Sequence, residues 1–576
     1  MKNTLMSTIQ ITFSPIGLKT CYSQAVVLLL ALTLCLSCNN KTPEAEVESP
    51  DPIPLTNNQV HIAFAGGGWR AHTAHTGWTL SLLDGGNKTL DDVFTNVGTI
   101  SSNSGGSWFS AMLTYSNSFV SAIEAQNAIN TWSSTGWLGQ QQALFDAASC
   151  HDLSGYAFTA CVFAMYGSAT HWDSVVENIV FKDYPLGMNM TLNGTRQSWA
   201  TDKSILFAST MLTSNVVLNE EGITEGYDKG YYQACLSPAT PILDGYSGAS
   251  CSDGTVNEVT PVTFSSIPSS SGFTAPPFLP AAGTGANPSV FNLGYSQNAL
   301  VDPTTATTTL QNPIATDQVP VVLAAASSSA AAGFAASEAV SGDWQLSYTA
   351  EDTALSFQLV NSKAEFIDAS GLSIQDLADQ KVVRLADGGP ADNSGVAQLV
   401  SFLQLNNEAD GFNIVAFDNV QDLYITGGAA ADVGPDIAYL FGKGLCDGTK
   451  FCSGVGCNGT CINVPELQVF DQSSLLNTPV TWSASTGAPP LVQKLIYTKY
   501  AVTTVDNSTF GTTKGSTGTL HSFTCVWSTA DTEPQNKTQD GDFKAYAAML
   551  SFINSGLQEK NGEGLKYLKD ALGLSQ

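Results

Sequence analysis

Two short segments carry residue types and spacings suited to chemistry. Ser102-Asn103-Ser104-Gly105-Gly106-Ser107-Trp108 follows the apolar run Val97-Gly98-Thr99-Ile100. Ala65-Gly66-Gly67-Gly68-Trp69-Arg70-Ala71 follows His61-Ile62-Ala63-Phe64. Ester cleavage needs a nucleophile, a base and donors aimed at the developing oxyanion. A serine with glycine behind it on a strand-to-helix turn projects its hydroxyl outward without a clash. The helix that follows sets backbone N–H groups and a positive dipole end beside the developing charge. Three glycines between a strand and a helix let further N–H groups approach a ligand, and removing one oxyanion donor costs about 2.7–4 kcal/mol. Taken singly, the serine segment reads as a helix cap and the glycines as a tight turn; together they argue for acyl transfer. Phosphate cradling is the weaker reading, because G-x-G-x-x-G is not met and no Walker lysine follows. Ser102 stands where the usual elbow has glycine.

The base is less obvious. The chain has six histidines: His61, His72, His75, His151, His171 and His521. Only His521 follows both Ser104 and Asp387, the chain order of an α/β-hydrolase triad, and Thr519-Leu520-His521-Ser522 shows no special turn. His72 and His75 lie three apart on one helix. With no third ligand in view they read as a core or solvated pair, and no metal is expected. Asp387-Gly388-Gly389, at the end of a strand-like run, is the better partner for Ser104. By itself Asp-Gly there is a turn; beside a serine elbow and a glycine loop it reads as a base. A carboxylate titrating near its ordinary pKa of about 4 is a weak base toward serine, so the site must be dry.

Alternating strands and helices must position these groups. The patterning predicts a strand at His61–Ala65, a helix at Ala71–Leu83, a strand at Val97–Ser101 and a helix at Gly105–Tyr115. Further on it predicts a strand at Val319–Leu323 running into an Ala/Ser-rich helix, and strands at Lys381–Leu385 and Phe412–Phe417. Phe543, Tyr546, Leu550, Ile553 and Leu557 fall on one face of a late amphipathic helix. The βα-βα rhythm argues for a largely parallel sheet covered by helices. Residues 140–315 are less regular. Ser265–Pro288, without a charged residue, reads as surface loops or a lid.

The bulk numbers narrow the function classes. A chain of 576 residues with 43% hydrophobic residues can bury a large core. A net charge of -28, with 22 Lys and Arg that form no dense cluster, argues against a nucleic-acid partner. Lys19 and the apolar run Ala25–Leu32 fit a secretory leader rather than a membrane span. Residues 1–38 are read as that leader. Ser37-Cys38 resembles a bacterial lipoprotein cleavage site, so the chain is expected to be exported, either released or lipid-anchored at Cys38. Residues 39–57 read as a flexible linker and 58–576 as the catalytic part, with lid insertions within about 140–315. Twelve cysteines fit an oxidising compartment. Cys150/Cys161 and Cys235/Cys251 are plausible local disulfides, and disulfides are also preferred over zinc for the Cys446–Cys461 cluster.

Gly66–Ala71, Asn103–Trp108 and Asp387–Gly389 together resemble the catalytic domain of cytosolic phospholipases and fungal phospholipase B. Softer similarities continue in order at Ser209–Val217, Thr260–Phe264, Ala324–Phe334 and Val415–Asp418. The resemblance spans roughly residues 58–555. It implies a three-layer α/β/α fold related to patatin and lysophospholipases, with a largely parallel central sheet and a Ser–Asp dyad without histidine. Carried over, Ser104 is the nucleophile and Asp387 the base. Gly67, Gly68 and Gly105 hold the oxyanion, and Arg70 faces the substrate phosphate. No cofactor is implied. The implied substrate is a phospholipid or lysophospholipid met at a transient membrane or micelle surface. No calcium-binding lipid-docking domain precedes the catalytic part. Ser102 and Trp69 depart from the pattern and bear on rate and pocket shape. Two alternatives stay open: a Ser-Asp-His esterase using His521, and a surface protein of this fold that binds lipid without turnover.

Overall fold

The computed structural model describes residues 59–83, 89–125, 127–149, 161, 175–187, 190–214, 257–271, 291–294, 320–329, 385–407, 409–420, 424–425, 431–446, 461–463, 467–488, 491–507, 510–529 and 543–574. The chain divides into Met1–Pro52 and Ile53–Gln576, and every described residue belongs to the second unit. The leader, Cys38 and the linker expected at 39–57 lie outside the described residues, as do Cys150, Cys235, Cys251 and Lys381–Arg384.

Ten strands form one mixed sheet. In chain order they are β1 (Val60–Phe64), β2 (Val97–Asn103), β3 (Ser204–Ser214), β4 (Asn257–Ser266), β5 (Phe291–Gly294), β6 (Leu385–Asp387), β7 (Phe412–Val420), and then β12 (Trp482–Ala488), β13 (Leu491–Thr503) and β14 (Thr517–Thr529). Two small hairpins intervene: β8 (Tyr424–Ile425) with β9 (Ala431–Val433), and β10 (Lys443–Cys446) with β11 (Cys461–Asn463). The sheet order is β12-β13-β14-β7-β1-β2-β3-β4-β5, and β6 also pairs with β3. The central run β14-β7-β1-β2-β3 is parallel throughout, whereas β12, β13, β4 and β6 join antiparallel.

Strand β1 sits mid-sheet, and Ile62 is level with Ile100 on one side and Val415 on the other. All five of its residues are buried, which explains a continuous apolar run rather than alternation. Successive side chains face opposite cores. Ile62 and Phe64 join one apolar cluster with residues of α1 (Gly68–Leu83), α2 (Gly105–Tyr115), α3 (Trp137–Ala147) and α7 (Phe543–Ala571). Ala63 joins a second cluster with residues of α5 (Val396–Leu405) and α6 (Pro435–Tyr439). Helices therefore pack on both faces. Phe543, Tyr546, Leu550, Ile553 and Leu557, the predicted late helical face, are all buried in the first cluster. Backbone at Glu559–Gly562 leaves helical geometry and breaks α7 there.

One expectation changes. The strand expected ahead of the Ala/Ser-rich helix is absent at Val321–Leu323: α4 (Val321–Ser328) begins at Val321, behind Pro320 at its N-cap with φ −62°, and Val319 lies outside the described residues. A short apolar run cannot be told from a buried helix by periodicity, and the proline's fixed φ suits a helix entry. Within 140–315, where lid insertions are expected, the described residues supply β3, β4 and β5 to the main sheet. Of the stretch read as lid, Ser265–Ser271 is described and runs from the end of β4 through a 3₁₀ turn at Ser269–Ser271. In the β10–β11 hairpin, Cys446 and Cys461 are cross-strand register partners.

Candidate active site

Ser104 sits in the turn between β2 and α2 with φ 48° and ψ −124°. That conformation is unfavourable for a residue with a Cβ, at about 1–3 kcal/mol, and persists only where neighbours enforce it. Here the enforcing neighbour is Ser328, at the C-terminus of α4. The Ser104 N–H lies 3.0 Å from the Ser328 carbonyl oxygen and 2.9 Å from its Oγ. The Gly388 N–H donates to the same Ser328 carbonyl at 3.2 Å. One helix end thus clamps the serine turn and the aspartate turn together, and a carbonyl left free by helix termination is satisfied.

Strand register sets the height of both groups. Asn103 is level with Ala208 on β3, and Asp387 is level with Ser209 on the same strand. Ser104, one residue on, therefore comes to the height of Asp387. Its Oγ donates to Asp387 Oδ2 at 2.8 Å, and both residues are buried. The other carboxyl oxygen, Oδ1, accepts from the Gly389 N–H at 2.8 Å. Burial pushes the Asp387 carboxyl up to about 6, partly countered by the Gly389 and Ser104 hydrogen bonds. The dry environment required of a carboxylate base is present, and it makes Asp387 a stronger base than a solvated one.

The glycine loop lies directly alongside. A Cβ on Gly66 would stand 2.9 Å from Ser104 Cβ, and one on Gly105 would stand 2.0 Å from the Gly68 carbonyl oxygen. Gly67 has φ 129° and Gly68 φ 58°, a region that glycine enters without steric cost. Three bonds brace the loop. Ala65 N–H donates to the Phe417 carbonyl at 3.0 Å, Gly66 N–H to the Asn393 carbonyl at 2.8 Å, and Asn419 Nδ2 to the Gly66 carbonyl at 2.9 Å. Among the described residues, the N–H groups of Gly67, Gly68 and Gly105 take no hydrogen-bond partner. The Ser104 N–H is already used by Ser328.

No family model matches the chain, and neither a curated protein nor a solved structure is found to be similar to it.

Arg70 leaves the first turn of α1 with its guanidinium against the loop. A Cβ on Gly67 would lie 3.0 Å from Arg70 Nη2. Arg70 Nε donates to Asn419 Oδ1 at 3.0 Å. The two departures at the site have separate structural roles. Ser102 is buried, and its Oγ donates to the Leu206 carbonyl at 3.0 Å and receives the Ser107 hydroxyl at 3.1 Å. It ties the elbow strand to β3. Trp69 is core rather than pocket wall. Its ring meets Trp108 edge-on at 5.0 Å, and Nε1 donates to Gln141 Oε1 at 3.0 Å.

His521 lies elsewhere. It is level with Val415, hence with Ile62 and Ile100, which is four residues below Ser104 and three strands across. At about 3.3 Å per residue and 4.8 Å per strand it is far out of hydrogen-bond reach. Its Nδ1 is 2.8 Å from the Tyr497 hydroxyl. Burial, then the Lys499 charge, pushes its imidazole down to about 4. His72 and His75 are core residues. His72 stacks on Trp137 with ring centroids 3.8 Å apart. His75 Nε2 is 2.8 Å from the Ala65 carbonyl, and since a carbonyl only accepts, that nitrogen carries the proton. His75 thus braces the start of the glycine loop. Among the described residues no cluster of three or more His, Cys, Asp or Glu can hold a metal ion.

Ser328, Asn393 and Asn419 were not legible as site residues. Each acts through bonds to backbone more than 100 residues away, and nothing in its local sequence marks that contact.

Proposed function

We propose that the chain is a serine acyl hydrolase that removes ester-linked fatty acids from glycerophospholipids or lysophospholipids, on a three-layer fold of the patatin and lysophospholipase type. The observation that carries this reading is the 2.8 Å hydrogen bond from Ser104 Oγ to Asp387 Oδ2 at a strained strand-to-helix turn.

The chemistry runs in two halves. Ser104 Oγ attacks the ester carbonyl and its proton passes to Asp387. The oxyanion is held by the N–H groups of Gly67, Gly68 and Gly105 and by the start of α2. Collapse breaks the C–O bond; Asp387 returns the proton to the leaving alcohol, and the acyl group stays on Ser104. Water then gives its proton to Asp387 and attacks the acyl-enzyme, releasing the fatty acid and restoring Ser104. Arg70, beside the loop, suits a phosphate-bearing headgroup. With net charge -28, zwitterionic or lyso substrates fit better than anionic lipid.

The reading places the protein outside the cell or on its surface, meeting lipid transiently. Among the described residues no helix is long and apolar enough to cross a membrane. A phosphatidylcholine labelled differently in its two acyl chains tests the proposal. Released fatty acid and lysolipid are expected from the parent chain and neither from Ser104→Ala. Equal release by both proteins ends the assignment.

A further inference from the structure

Asn419 reaches the site from the end of β7. Phe64 on β1 and Phe417 on β7 are register partners, so two residues further on Gly66 and Asn419 arrive together. Asn419 and Phe417 share one face of β7, since side chains repeat every second residue. Phe417 packs on that face with residues of α1, the helix whose first turn carries Arg70. Strand register thus brings one buried amide between the glycine loop and the arginine.

Both ends of that amide are committed. Nδ2 donates to the Gly66 carbonyl at 2.9 Å, and Oδ1 accepts Arg70 Nε at 3.0 Å. A carbonyl only accepts and a guanidinium only donates, so these partners fix which end is which. An aspartate could not donate to the carbonyl, and a leucine could meet neither partner. The Gly66 carbonyl and the Gly67 N–H belong to one peptide unit, and across a planar trans peptide they point in opposite directions. Holding the carbonyl therefore aims the Gly67 N–H away from Asn419. The Gly66 N–H is held separately by the Asn393 carbonyl at 2.8 Å. At the other end, with Nε committed, the planar guanidinium can offer only its terminal nitrogens to an anion. Gly67 lies against both partners: a Cβ there would stand 2.7 Å from Asn419 Oδ1 and 3.0 Å from Arg70 Nη2. Gly66 and Asn419 are buried, while Gly67, Gly68 and Arg70 are partly exposed.

We propose that Asn419 is a positioning residue that couples headgroup recognition to the oxyanion hole: a phosphate seated on Arg70 steadies, through this one amide, the Gly67 N–H that receives the oxyanion. The proposal rests on the phospholipid reading given above and deepens it, by assigning where headgroup binding is felt in the reaction. Binding energy from a part of the substrate remote from the reacting carbon then speeds the chemical step instead of adding to affinity alone. An ester without a phosphate lacks that contribution. The chain is therefore expected to prefer phospholipid esters chiefly through kcat.

The test compares two soluble esters of one short acyl chain, a lysophosphatidylcholine and a monoacylglycerol, both below their micelle thresholds. The parent chain is expected to favour the phosphocholine ester by about tenfold or more in kcat/KM, the scale of a charge-assisted hydrogen-bond pair, with most of the preference in kcat. Arg70→Gln sets the reference loss of that preference. Asn419→Leu has similar size and no polar group. It is expected to lower kcat on the monoacylglycerol by about tenfold or more, because the Gly67 donor is no longer aimed, and to remove most of the phosphocholine preference. In the Arg70→Gln background, Asn419→Leu should again lower kcat on the monoacylglycerol but cost no further preference, as for two residues acting through one contact. If Asn419→Leu does not fold, Asn419→Ala is read in the same way. A variant that slows both esters equally and keeps the preference makes Asn419 a brace of the loop alone. One that loses the preference at full kcat on the monoacylglycerol makes it a partner of Arg70 alone. Either result overturns the proposal, as does a parent preference carried only by KM, while the phospholipid reading stands. A parent that hydrolyses both esters equally overturns the proposal and the headgroup role of Arg70 with it. A parent that hydrolyses neither overturns the acyl hydrolase reading itself.

Discussion

Ser104 Oγ donates to Asp387 Oδ2 at 2.8 Å although the two residues are separated by 283 positions in the chain. Asp387 in turn is braced by the Gly389 N–H and buried, and no imidazole stands between it and the serine. A two-residue relay of this kind relies on burial to raise the carboxylate's basicity.

Removing either partner is the first test. Ser104→Ala and Asp387→Asn are each expected to lower ester turnover by about three orders of magnitude or more. A fluorophosphonate probe should label the parent chain and leave Ser104→Ala unlabelled. Labelling of Ser104→Ala would place the reactive serine elsewhere.

The same aspartate shapes the pH profile. Asp387 must be ionised to take the serine proton, and its carboxyl is pushed up to about 6. Turnover of an uncharged ester should therefore rise with pH through about 6 and then level off. A profile already flat from about pH 4.5 upward, the behaviour of a solvated carboxylate, contradicts a buried base.

Stability should move opposite to activity. The folded-state pKa of Asp387, about 6, lies above the ordinary 3.8, so the ionised form is disfavoured in the fold. The associated stability is complete below 3.8 and is lost as pH rises through about 6. Asp387→Asn escapes that loss. At about pH 7.5 the variant should be more stable than the parent by about 1–3 kcal/mol, with the advantage vanishing below about pH 4. Denaturant midpoints at the two pH values give the comparison, and a destabilised variant at the higher pH counts against it.

His521 separates the dyad from a triad. Its imidazole is tied to Tyr497 and lies out of reach of Ser104. His521→Gln is expected to keep turnover within about threefold of the parent, while melting lower by an amount typical of a lost buried hydrogen bond, about 1 kcal/mol. A thousandfold fall in turnover in a folded variant would restore the histidine.

The β10–β11 hairpin predicts a disulfide. Cross-strand partners such as Cys446 and Cys461 have Cα atoms about 4.5–5.5 Å apart, inside the range a disulfide spans. Unreduced peptide mapping should recover the Cys446–Cys461 linkage from protein produced in an oxidising compartment. Recovery of both cysteines as free thiols refutes it.

Much of the scaffold was legible because it is local. The run from His61 to Phe64, the glycines after it and Gly105–Tyr115 become β1, a turn and α2 through short-range backbone preferences and apolar burial. Val321–Leu323 escaped because a buried helix and a buried strand present the same short apolar run, whereas the Ala/Ser-rich helix that follows was legible. Ser102 and Trp69 looked like departures within the site; their bonds to Leu206 and Gln141 show that they serve the core.

By itself, the sequence determined that a serine would sit on a tight turn beside a glycine loop, since backbone geometry over a few residues dictates both. The tertiary structure decided how the expected acid, Asp387, reaches that serine and which carbonyl clamps the turn. Those choices follow from strand register, where a shift of one residue turns a side chain to the opposite face. Registers between β2, β3 and β6 are fixed by packing across the whole sheet.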